Sequence, residues 1–513
     1  MLTKTYGSAL YGIEARTITV EVDVCQGVNF YMVGLPDNAV RESHHRIDAA
    51  LKHHGYRIPV RRIVVNLAPA DIRKQGSAYD LPIAIGILAA TGQMDPARVG
   101  RYMLMGELSL DGGLQPMRGA LPIAVKAEEE GFDGLILPAV NAREAAVVSG
   151  IDVYGARSIG EVIAFFNGEG QLATEQFDVK QTFSEGSSAN GGMDFADVRG
   201  QEGIKRAFEV AAAGGHNLLM IGAPGAGKTM LAKRLPGILP PPSMREALET
   251  TKIHSVAGKL DPGSSLLRAR PFRHPHHTIS HAALSGGGTN PFPGEISLAH
   301  NGVLFLDELP EFQRSALEIL RQPLEDRVVT LSRSRYSVRF PAAFMLVASM
   351  NPCPCGFYNH PGKECVCPPG LVGKYLNRVS GPLLDRIDIQ VEVTPVPFNE
   401  LDRIRPAENS AAIRKRVLRA RERQFRRFEQ ESGVHCNAQM GSRLLRKTCL
   451  LNKAGQLLLK TAMEKLELSA RAYDRILKVS RTVADLDDSE AIRPEHLAEA
   501  IQYRSLDREN WGR

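Results

Sequence analysis

The segment that most constrains this chain is a glycine-rich loop at residues 222–229, Gly-Ala-Pro-Gly-Ala-Gly-Lys-Thr. It follows an apolar run at 218–221 and precedes a helix-like segment at 230–234, which is the strand, loop and helix order of a phosphate-binding P-loop. Glycines let successive backbone N–H groups turn inward and bind an anion at the positive end of a helix. We therefore predict that a nucleotide phosphate is held by Gly222, Ala223, Pro224, Gly225, Ala226 and Gly227.

Four side chains would complete an ATP site at this loop. Lys228 would reach the β- and γ-phosphates, and the Thr229 hydroxyl would bind Mg²⁺. A second apolar strand ends in Asp307, predicted to hold the Mg²⁺ shell, and Glu308, predicted to polarise the attacking water. A chance glycine turn is the alternative, but the flanking strand and helix make the motif specific.

Composition places the chain among globular proteins. Its 513 residues correspond to about three domains, and a hydrophobic fraction of 43% is ordinary for a soluble protein. We find neither an apolar run of the roughly 20 residues that span a bilayer nor a signal-peptide core at the N-terminus. We expect a cytoplasmic protein without a membrane partner. The net charge of +6 permits nucleic acid as a partner without requiring it.

The chain has seven cysteines, and four of them lie within a short stretch. An odd number and this crowding argue against a disulfide framework. Four thiols in a reducing compartment suit tetrahedral Zn²⁺, and free thiols or another metal are the alternatives. His360 could replace one cysteine. The predicted structural zinc ligands are Cys353, Cys355, Cys365 and Cys367.

We predict an α/β protein with four segments. Strand and helix patterns alternate over residues 1–168, and residues 169–192 have the polar composition of a linker. The P-loop belongs to an ATPase domain at 193–397, and the pattern from 398 to 513 is helical.

The first of these segments resembles a known protease. Residues 76–82, 106–116 and 135–138 together are similar to the proteolytic domain of Lon and its relatives, which use a Ser–Lys dyad. The serine and lysine positions of that family fall at Ala78 and Leu121. The nearest candidates fit neither position: Ser77 is one residue early and Lys126 is several residues late. Because a nucleophile without its base is inert, the resemblance implies a protease-like fold without protease activity.

The P-loop domain resembles AAA+ ATPases. A third apolar strand at 343–350 ends in Asn351, which is similar to the sensor-1 residue that orients water against the γ-phosphate. Alone, an asparagine before proline is merely a turn former. Residues 466–475 resemble the sensor-2 helix of the AAA+ lid, with Arg471 facing the phosphates and Arg475 as a second candidate.

Residues 381–388 resemble the arginine-finger segment of the MCM and magnesium-chelatase branch. The resemblance implies that Arg386 acts on the nucleotide of a neighbouring subunit, and therefore that the chain forms a ring, most often a hexamer. The alternative is an intrachain salt bridge from Arg386 to Asp385 or Asp388.

Two insertions identify the branch. Residues 271–281 and 284–297 closely resemble the ComM/YifB family of magnesium-chelatase-like AAA+ proteins, and the resemblance extends over essentially the entire chain. The glycine- and proline-rich second segment reads as a substrate-contacting loop. For the histidines of the first segment, loop packing or phosphate contact is preferred over a metal site; these are His274, His276, His277 and His281.

A predicted hairpin at 327–340 carries Arg333 and Arg335 at its tip. Arginines at a pore would neutralise DNA phosphates without reading sequence, although the tip could merely be solvated. Residues 410–431 carry eight Lys/Arg and three Glu. Such a basic helix is usually a solvated face, but here it could flank a DNA path.

The resemblance implies an ATP-driven motor, a helicase or branch-migration factor in DNA recombination and natural transformation. Its cofactors would be ATP and Mg²⁺, and its partners single-stranded and branched DNA, further copies of itself in a homo-hexamer, and other recombination proteins. The alternatives are a chelatase-type ATPase, whose usual integrin-like partner domain we do not find, a protein-remodelling ATPase, and an ATP-dependent protease, which Ala78 and Leu121 disfavour.

Overall fold

The computed structural model describes residues 2–178, 192–261, 263–288, 291–333, 336–358, 360, 362–395, 408–431 and 433–504. The chain divides into two compact units. The first unit comprises Met1–Gly186 and Met244–Leu267, and the second comprises Ser187–Ser243 and Arg268–Arg513. A segment that follows the P-loop in the sequence therefore belongs to the first unit.

The first unit is built on a seven-stranded mixed sheet with the strand order β3-β4-β2-β1-β5-β8-β9. The long strands β1 and β2 are antiparallel, whereas β5, β8 and β9 run parallel to one another. A small hairpin, β6–β7, lies outside this sheet. The strands are β1 (Leu2–Tyr11), β2 (Glu14–Cys25), β3 (Phe30–Val33), β4 (Arg62–Ala68), β5 (Tyr102–Leu104), β6 (Glu107–Leu108), β7 (Leu114–Gln115), β8 (Gly134–Pro138) and β9 (Asp152–Ala156).

Helices cover this sheet, and one of them is buried along its whole length. Every residue of α3 is buried, and a β-carbon on Gly86 would lie 2.7 Å from Val22, so glycine lets this helix approach the sheet closely. The helices of the unit are α1 (Asn38–Arg41), α2 (Ser43–His53), α3 (Asp80–Ala90), α4 (Ala120–Glu129), α5 (Ala139–Ala145), α6 (Ile159–Asn167) and, from the later segment, α9 (Met244–Ala257).

The second unit contains a five-stranded sheet with the order β11-β14-β17-β10-β18, in which every neighbouring pair is parallel. Two antiparallel hairpins, β12–β13 and β15–β16, accompany it. The strands are β10 (Leu218–Gly222), β11 (Phe272–Arg273), β12 (Gly286–Gly287), β13 (Phe292–Pro293), β14 (Val303–Leu306), β15 (Val328–Arg333), β16 (Tyr336–Pro341), β17 (Met345–Met350) and β18 (Ile389–Val393).

The C-terminal region is helical and shares a core with this sheet. Val417 and Ile476 from C-terminal helices pack in one apolar cluster with Val210 and with Val347 of β17. The helices of the whole second unit are α7 (Glu202–Gly214), α8 (Lys228–Ala232), α10 (His281–Ser285), α11 (Glu295–Leu298), α12 (Arg314–Ile319), α13 (Arg321–Asp326), α14 (Leu371–Leu376), α15 (Gly381–Leu384), α16 (Ser410–Phe428), α17 (Ser442–Thr448), α18 (Lys453–Lys465), α19 (Ala470–Leu486) and α20 (Pro494–Gln502).

The predicted α/β fold class is confirmed, with a helical C-terminal region after the P-loop sheet. Single 3₁₀ turns occur at Val99–Arg101, Phe195–Asp197, Leu235–Gly237, Leu309–Glu311 and Asn437–Gln439. Across the described ranges, none of the helices combines the length and the apolar character needed to cross a bilayer.

Candidate functional site

The glycine-rich loop joins a fully buried strand to a short helix. β10 is buried throughout, and Gly227 caps the N-terminus of α8 with a left-handed φ of 87°. Gly225 has a φ of 79°, so two positions of the loop adopt a conformation that favours glycine. A β-carbon on Gly222 would lie 2.2 Å from the carbonyl oxygen of Val393 on β18. The loop therefore has the strand, turn and helix geometry in which backbone N–H groups face an anion.

Lys228 lies folded over this loop. Its Nζ donates to the carbonyl oxygens of Gly222 at 2.6 Å and Ala223 at 3.0 Å, and to Oδ1 of Asn351 at 3.0 Å. Burial lowers the pKa of the Lys228 ammonium, while Asp307 and Glu308 act in the opposite direction. A partly desolvated cation at this position would gain from contact with a phosphate.

A hydroxyl and a carboxylate form the second half of the site. The Thr229 hydroxyl donates to Oδ2 of Asp307 at 2.6 Å. The Ser349 hydroxyl donates to Oδ1 of the same carboxylate, which also accepts the backbone N–H of Glu308 at 3.1 Å. A hydroxyl beside a carboxylate is the ligand pair that P-loop enzymes offer to Mg²⁺, so these residues fit that ion.

Glu308 begins a tight turn beyond β14. Its φ of 54° is left-handed, and its side chain is 53% exposed. Oε2 lies 3.4 Å from Nδ1 of His277, a residue of the histidine-rich segment. The carboxylate is thus oriented by a neighbour and open to solvent, as a group that activates water needs to be.

Sheet topology brings these residues together. β17 lies between β10 and β14, and all three are parallel. Their carboxyl ends therefore meet at one edge, which places Asn351 between the loop that carries Lys228 and the strand end that carries Asp307. Parallel α/β sheets bind ligands at this edge.

Arg386 stands apart from this cluster. Its guanidinium is paired with Oε1 of Glu325 on α13 at 2.5 Å and donates to the carbonyl oxygen of Pro382 at 2.5 Å. Its Nε is buried without a hydrogen-bond partner among the described residues. The intrachain partner is therefore Glu325, and the two aspartates that flank Arg386 pair with other arginines.

Both sensor-2 candidates contact the segment that contains Arg386. Arg471 is 62% exposed and lies 3.5 Å from Asp385, whereas Arg475 is paired with the buried Asp388 at 2.6 Å. Burial opposes ionisation of Asp388, but Arg475 and His216 outweigh it and hold the pKa of this carboxyl well below its usual range. Of the two arginines, Arg471 has the more accessible guanidinium.

The four clustered cysteines converge. Sγ of Cys353 lies 3.3 Å from that of Cys355 and 3.7 Å from that of Cys365, and the latter two are 3.6 Å apart. With Cys367, all four sulfurs lie within 4.8 Å of one another. Tetrahedral zinc with Zn–S bonds of about 2.3 Å separates its sulfurs by about 3.8 Å, so the set fits this ion. Nδ1 of His360 accepts the N–H of Gly362 instead.

The arginine hairpin forms as β15–β16. Arg333 pairs with Tyr336 at the end of the ladder, and Arg335 lies outside the described residues. One face of the hairpin is buried through Val329, Val338 and Phe340. The exposed positions are Ser332, Ser337 and Arg339.

The basic stretch is largely committed to its own unit. Arg427 forms a bidentate pair with the buried Asp485, and Arg416 contacts Glu209 and Glu408. Arg421, Arg423 and Arg426 also have partners in the second unit, namely the Ala212 carbonyl, Asp488 and Glu422. Apart from Arg426, whose partner lies on the same helix, these arginines hold α16 against α7 and against the end of α19. Lys415, Arg419 and Arg426 are exposed, so part of this helix is a solvated face, and a flank of a DNA path stays a prediction.

The histidine-rich segment packs around the site. The His274 ring lies 4.7 Å from that of Phe305, and Nδ1 of His276 is 2.9 Å from the Thr278 hydroxyl. His281 opens α10. Within the described ranges, the four-cysteine set is the one group of three or more His, Cys, Asp or Glu residues whose ligand atoms are spaced for a metal.

The protease-like unit shows no Ser–Lys contact at the expected place. The Ser77 hydroxyl donates to Glu107, and Lys126 is paired with Glu129 and Glu130 at 3.3 Å each. At the predicted lysine position, Leu121 is fully buried in an apolar core against which Ala78 also packs.

Three residues at or near the nucleotide site could not be predicted as site residues from the motifs. Ser349 supports Asp307, Glu325 holds Arg386, and Gln201 donates through Nε2 to the Ala226 carbonyl of the loop at 3.0 Å. Only Ser349 had a usable signal, since it lies two residues before Asn351 on the same strand.

Comparison with known proteins covers nearly the whole chain. Residues 194–401 match the family described as magnesium chelatase, subunit ChlI, residues 20–141 match subunit ChlI of Mg-chelatase, and residues 407–504 match its C-terminal region. The chain is 44% identical over 507 residues to Competence protein ComM of Haemophilus influenzae, covering 98% of each protein. It is 44% identical over 509 residues to the uncharacterized protein YifB of Escherichia coli, covering 99% of this chain and 98% of YifB.

A shorter match is to a protease. Lon protease 2 of Bacillus subtilis is 29% identical over 153 residues, which cover 28% of this chain and 27% of that protein. The full-length matches carry more weight because they span both units. The chain belongs to the ComM/YifB family of magnesium-chelatase-like AAA+ ATPases.

Proposed function

We propose that this protein is an ATP-driven, ring-forming motor that moves DNA, acting in branch migration when incoming DNA recombines. The observation that carries the proposal is the convergence of Lys228, Thr229, Asp307 and Asn351 at one sheet edge. A family relative named as a competence protein supports a role connected with DNA uptake.

ATP hydrolysis follows from the roles these side chains can take. Lys228 exchanges its loop carbonyls for β- and γ-phosphate oxygens, and the loop N–H groups hold the rest of the phosphate chain. Mg²⁺, held by Thr229 and Asp307, would neutralise charge that develops on the phosphates. Glu308 accepts a proton from the attacking water, and Asn351 orients that water.

Ring formation supplies the remaining charge. In the proposed ring, Arg386 leaves Glu325 and points at the nucleotide of the next subunit, where it stabilises the transition state. Arg471 contributes from the same subunit because it is the more exposed of the two sensor-2 candidates. A hexamer is the proposed assembly. Contact with the neighbouring subunit would decide whether Arg386 pairs with Glu325 or with that subunit's nucleotide.

DNA contact is assigned to the β15–β16 hairpin. Arg333 and Arg335 lie at its tip in the sequence, and the exposed strand face presents Arg339 beside the Ser332 and Ser337 hydroxyls. Arginine and serine side chains commonly bind phosphate oxygens, which position DNA without reading its sequence. Binding should therefore be sensitive to salt and tolerant of sequence.

The second candidate is a chelatase-type or protein-remodelling ATPase. The match of residues 194–401 to a magnesium-chelatase subunit favours it, because that family is named for metal chelation and not for DNA. Such an ATPase would use the same nucleotide site with a protein substrate in place of DNA.

Steady-state ATPase rates separate these proposals. We expect stimulation by single-stranded, forked or four-way DNA and none by an unfolded protein such as casein. Glu308→Gln should bind ATP without turning it over.

Arg339→Ala should weaken DNA binding and reduce by about 1 the slope of the logarithm of the binding constant against the logarithm of salt concentration. Arg245→Ala, at an exposed arginine, serves as the matched control. Stimulation by casein alone, with no affinity for DNA at low salt, would refute the motor.

A further inference from the structure

A single residue separates the cysteine cluster from Asn351 of the nucleotide site. Asn351, which accepts a hydrogen bond from Lys228, is followed by Pro352 and then by Cys353. Cys353 is fully buried, and its Sγ accepts the backbone N–H of Tyr358 at 3.3 Å. The cluster is therefore anchored at the strand end that carries Asn351.

A second contact reaches the P-loop itself. Gly356 lies between the two halves of the cluster, donates its N–H to the Cys353 carbonyl at 3.0 Å and has a φ of 83°. A β-carbon at this position would lie 2.4 Å from Cδ and 2.8 Å from Cγ of Pro224. The cysteine segment thus packs its backbone against the proline ring of the phosphate-binding loop.

We propose that the metal-bound cysteine segment is a positioning element for the P-loop, so that metal occupancy and nucleotide binding are coupled through the contact between Gly356 and Pro224. The inference rests on the proposed ATP and zinc sites and adds a dependence of one on the other. It assigns Gly356 as a positioning residue, since it touches the loop and not the nucleotide.

Loss of the metal should loosen this support. Four sulfurs within 4.8 Å of one another would be held together by bonds to a shared ion, and metal binding of this kind contributes directly to local folding. Without those bonds the segment that carries Gly356 gains freedom, and Pro224 loses a packed neighbour. An ordered loop pays less conformational entropy on binding phosphate, so nucleotide affinity falls when the metal leaves.

Thermodynamic linkage makes the coupling reciprocal. If metal raises nucleotide affinity by a given factor, nucleotide raises metal affinity by the same factor. Bound nucleotide should therefore slow zinc transfer to a chromophoric chelator, a readout that does not involve catalysis.

The first experiment uses the purified full-length protein. Zinc content is measured by mass spectrometry, and the Kd for a fluorescent ATP analogue is measured before chelation, after chelation and after zinc is restored. We expect a loss of affinity of about fivefold or more, the lower end of typical couplings, and recovery with zinc. Cys25→Ser, at an exposed cysteine outside the cluster, should leave zinc content and Kd unchanged.

The second experiment breaks the contact without touching a sulfur. Gly356→Ala should retain one zinc per chain and lose nucleotide affinity. Gly370→Ala is the matched control because Gly370 has a similar φ of 77°, and an added β-carbon would meet no atom of another described residue within 4 Å, its chain neighbours aside. Equal affinities for the two variants, or a Kd unaffected by chelation of zinc-loaded protein, would overturn the inference while leaving both sites in place. Absence of bound zinc would refute the metal site, and absence of nucleotide binding would refute the ATP site.

Discussion

Two regions of this molecule pair a β-sheet with helices, and they differ in what lies at their predicted reactive positions. In the second unit, Lys228 at the start of α8 and Asn351 just beyond β17 are within hydrogen-bond distance. In the first unit, Ser77 and Lys126 each bind separate carboxylates, and Leu121 is buried where a lysine is expected. A fold thus provides a place for chemistry, and the side chains at that place decide whether chemistry occurs.

The largest expected effect is at the P-loop. Lys228→Ala should reduce ATP turnover by on the order of 100-fold or more, because it removes a preorganised cation from the developing phosphate charge. Nucleotide binding should also be lost, as measured by a fluorescent ATP analogue. Lys259→Ala, at an exposed lysine of the first unit, is the control and should retain both. Normal ATP turnover by Lys228→Ala would contradict the claim that the second unit, unlike the first, has a working reactive site.

A substitution in the protease-like unit should change stability and spare chemistry. Leu121 is fully buried, so Leu121→Ala should lower the free energy of unfolding by about 2–5 kcal/mol. Denaturant unfolding measures this loss, while the ATPase rate per folded molecule should stay near that of the unaltered protein. Ser77→Ala is the companion control and should leave peptide hydrolysis at background. Any peptidase activity that Ser77→Ala abolished would show that this unit is catalytic.

The smallest effect concerns buried carboxylates of the two units. Burial raises the pKa of Glu144 in the first unit, although its bonds with Ser255 and the Leu121 N–H oppose the rise. The folded state therefore binds this proton more tightly than the unfolded state, and stability from this group rises as pH falls towards about 4.5. In the second unit, Asp388 has a lowered pKa, so its contribution stays constant until pH falls below about 4.

Melting temperatures at pH 7.5 and pH 5 test this difference. The melting temperature of Glu144→Gln relative to the unaltered protein should fall at the lower pH, whereas that of Asp388→Asn should not change between the two. Glu129→Gln, at an exposed carboxylate, should behave like the unaltered protein. The same pH response in the variants of Glu144 and Asp388 would contradict a raised pKa for Glu144 and a lowered pKa for Asp388.

Much of the second unit could be predicted because its signals are local. The P-loop is one continuous segment, and the Asp307 and Asn351 motifs each follow an apolar strand. The four cysteines are close in sequence, so their convergence needed only a turn. For residues 410–431 a charge count contains no partners, and the acids that pair with Arg416, Arg423 and Arg427 lie in other segments. The sequence therefore could not separate these paired arginines from the exposed ones on the same helix.

The sequence by itself determined that this chain carries a P-loop, paired acids after a strand, and a leucine where a protease lysine is expected. Each of these features can be recognised from a short continuous segment. Only the tertiary structure decided which of them meet. β17 lies between β10 and β14 although it follows both in the chain, and that order of strands brings Asn351 to Lys228. The Arg386–Glu325 pair and the packing of Gly356 on Pro224 arose in the same way. Contacts between distant segments depend on strand order and on the close approach of backbones, which no local pattern records.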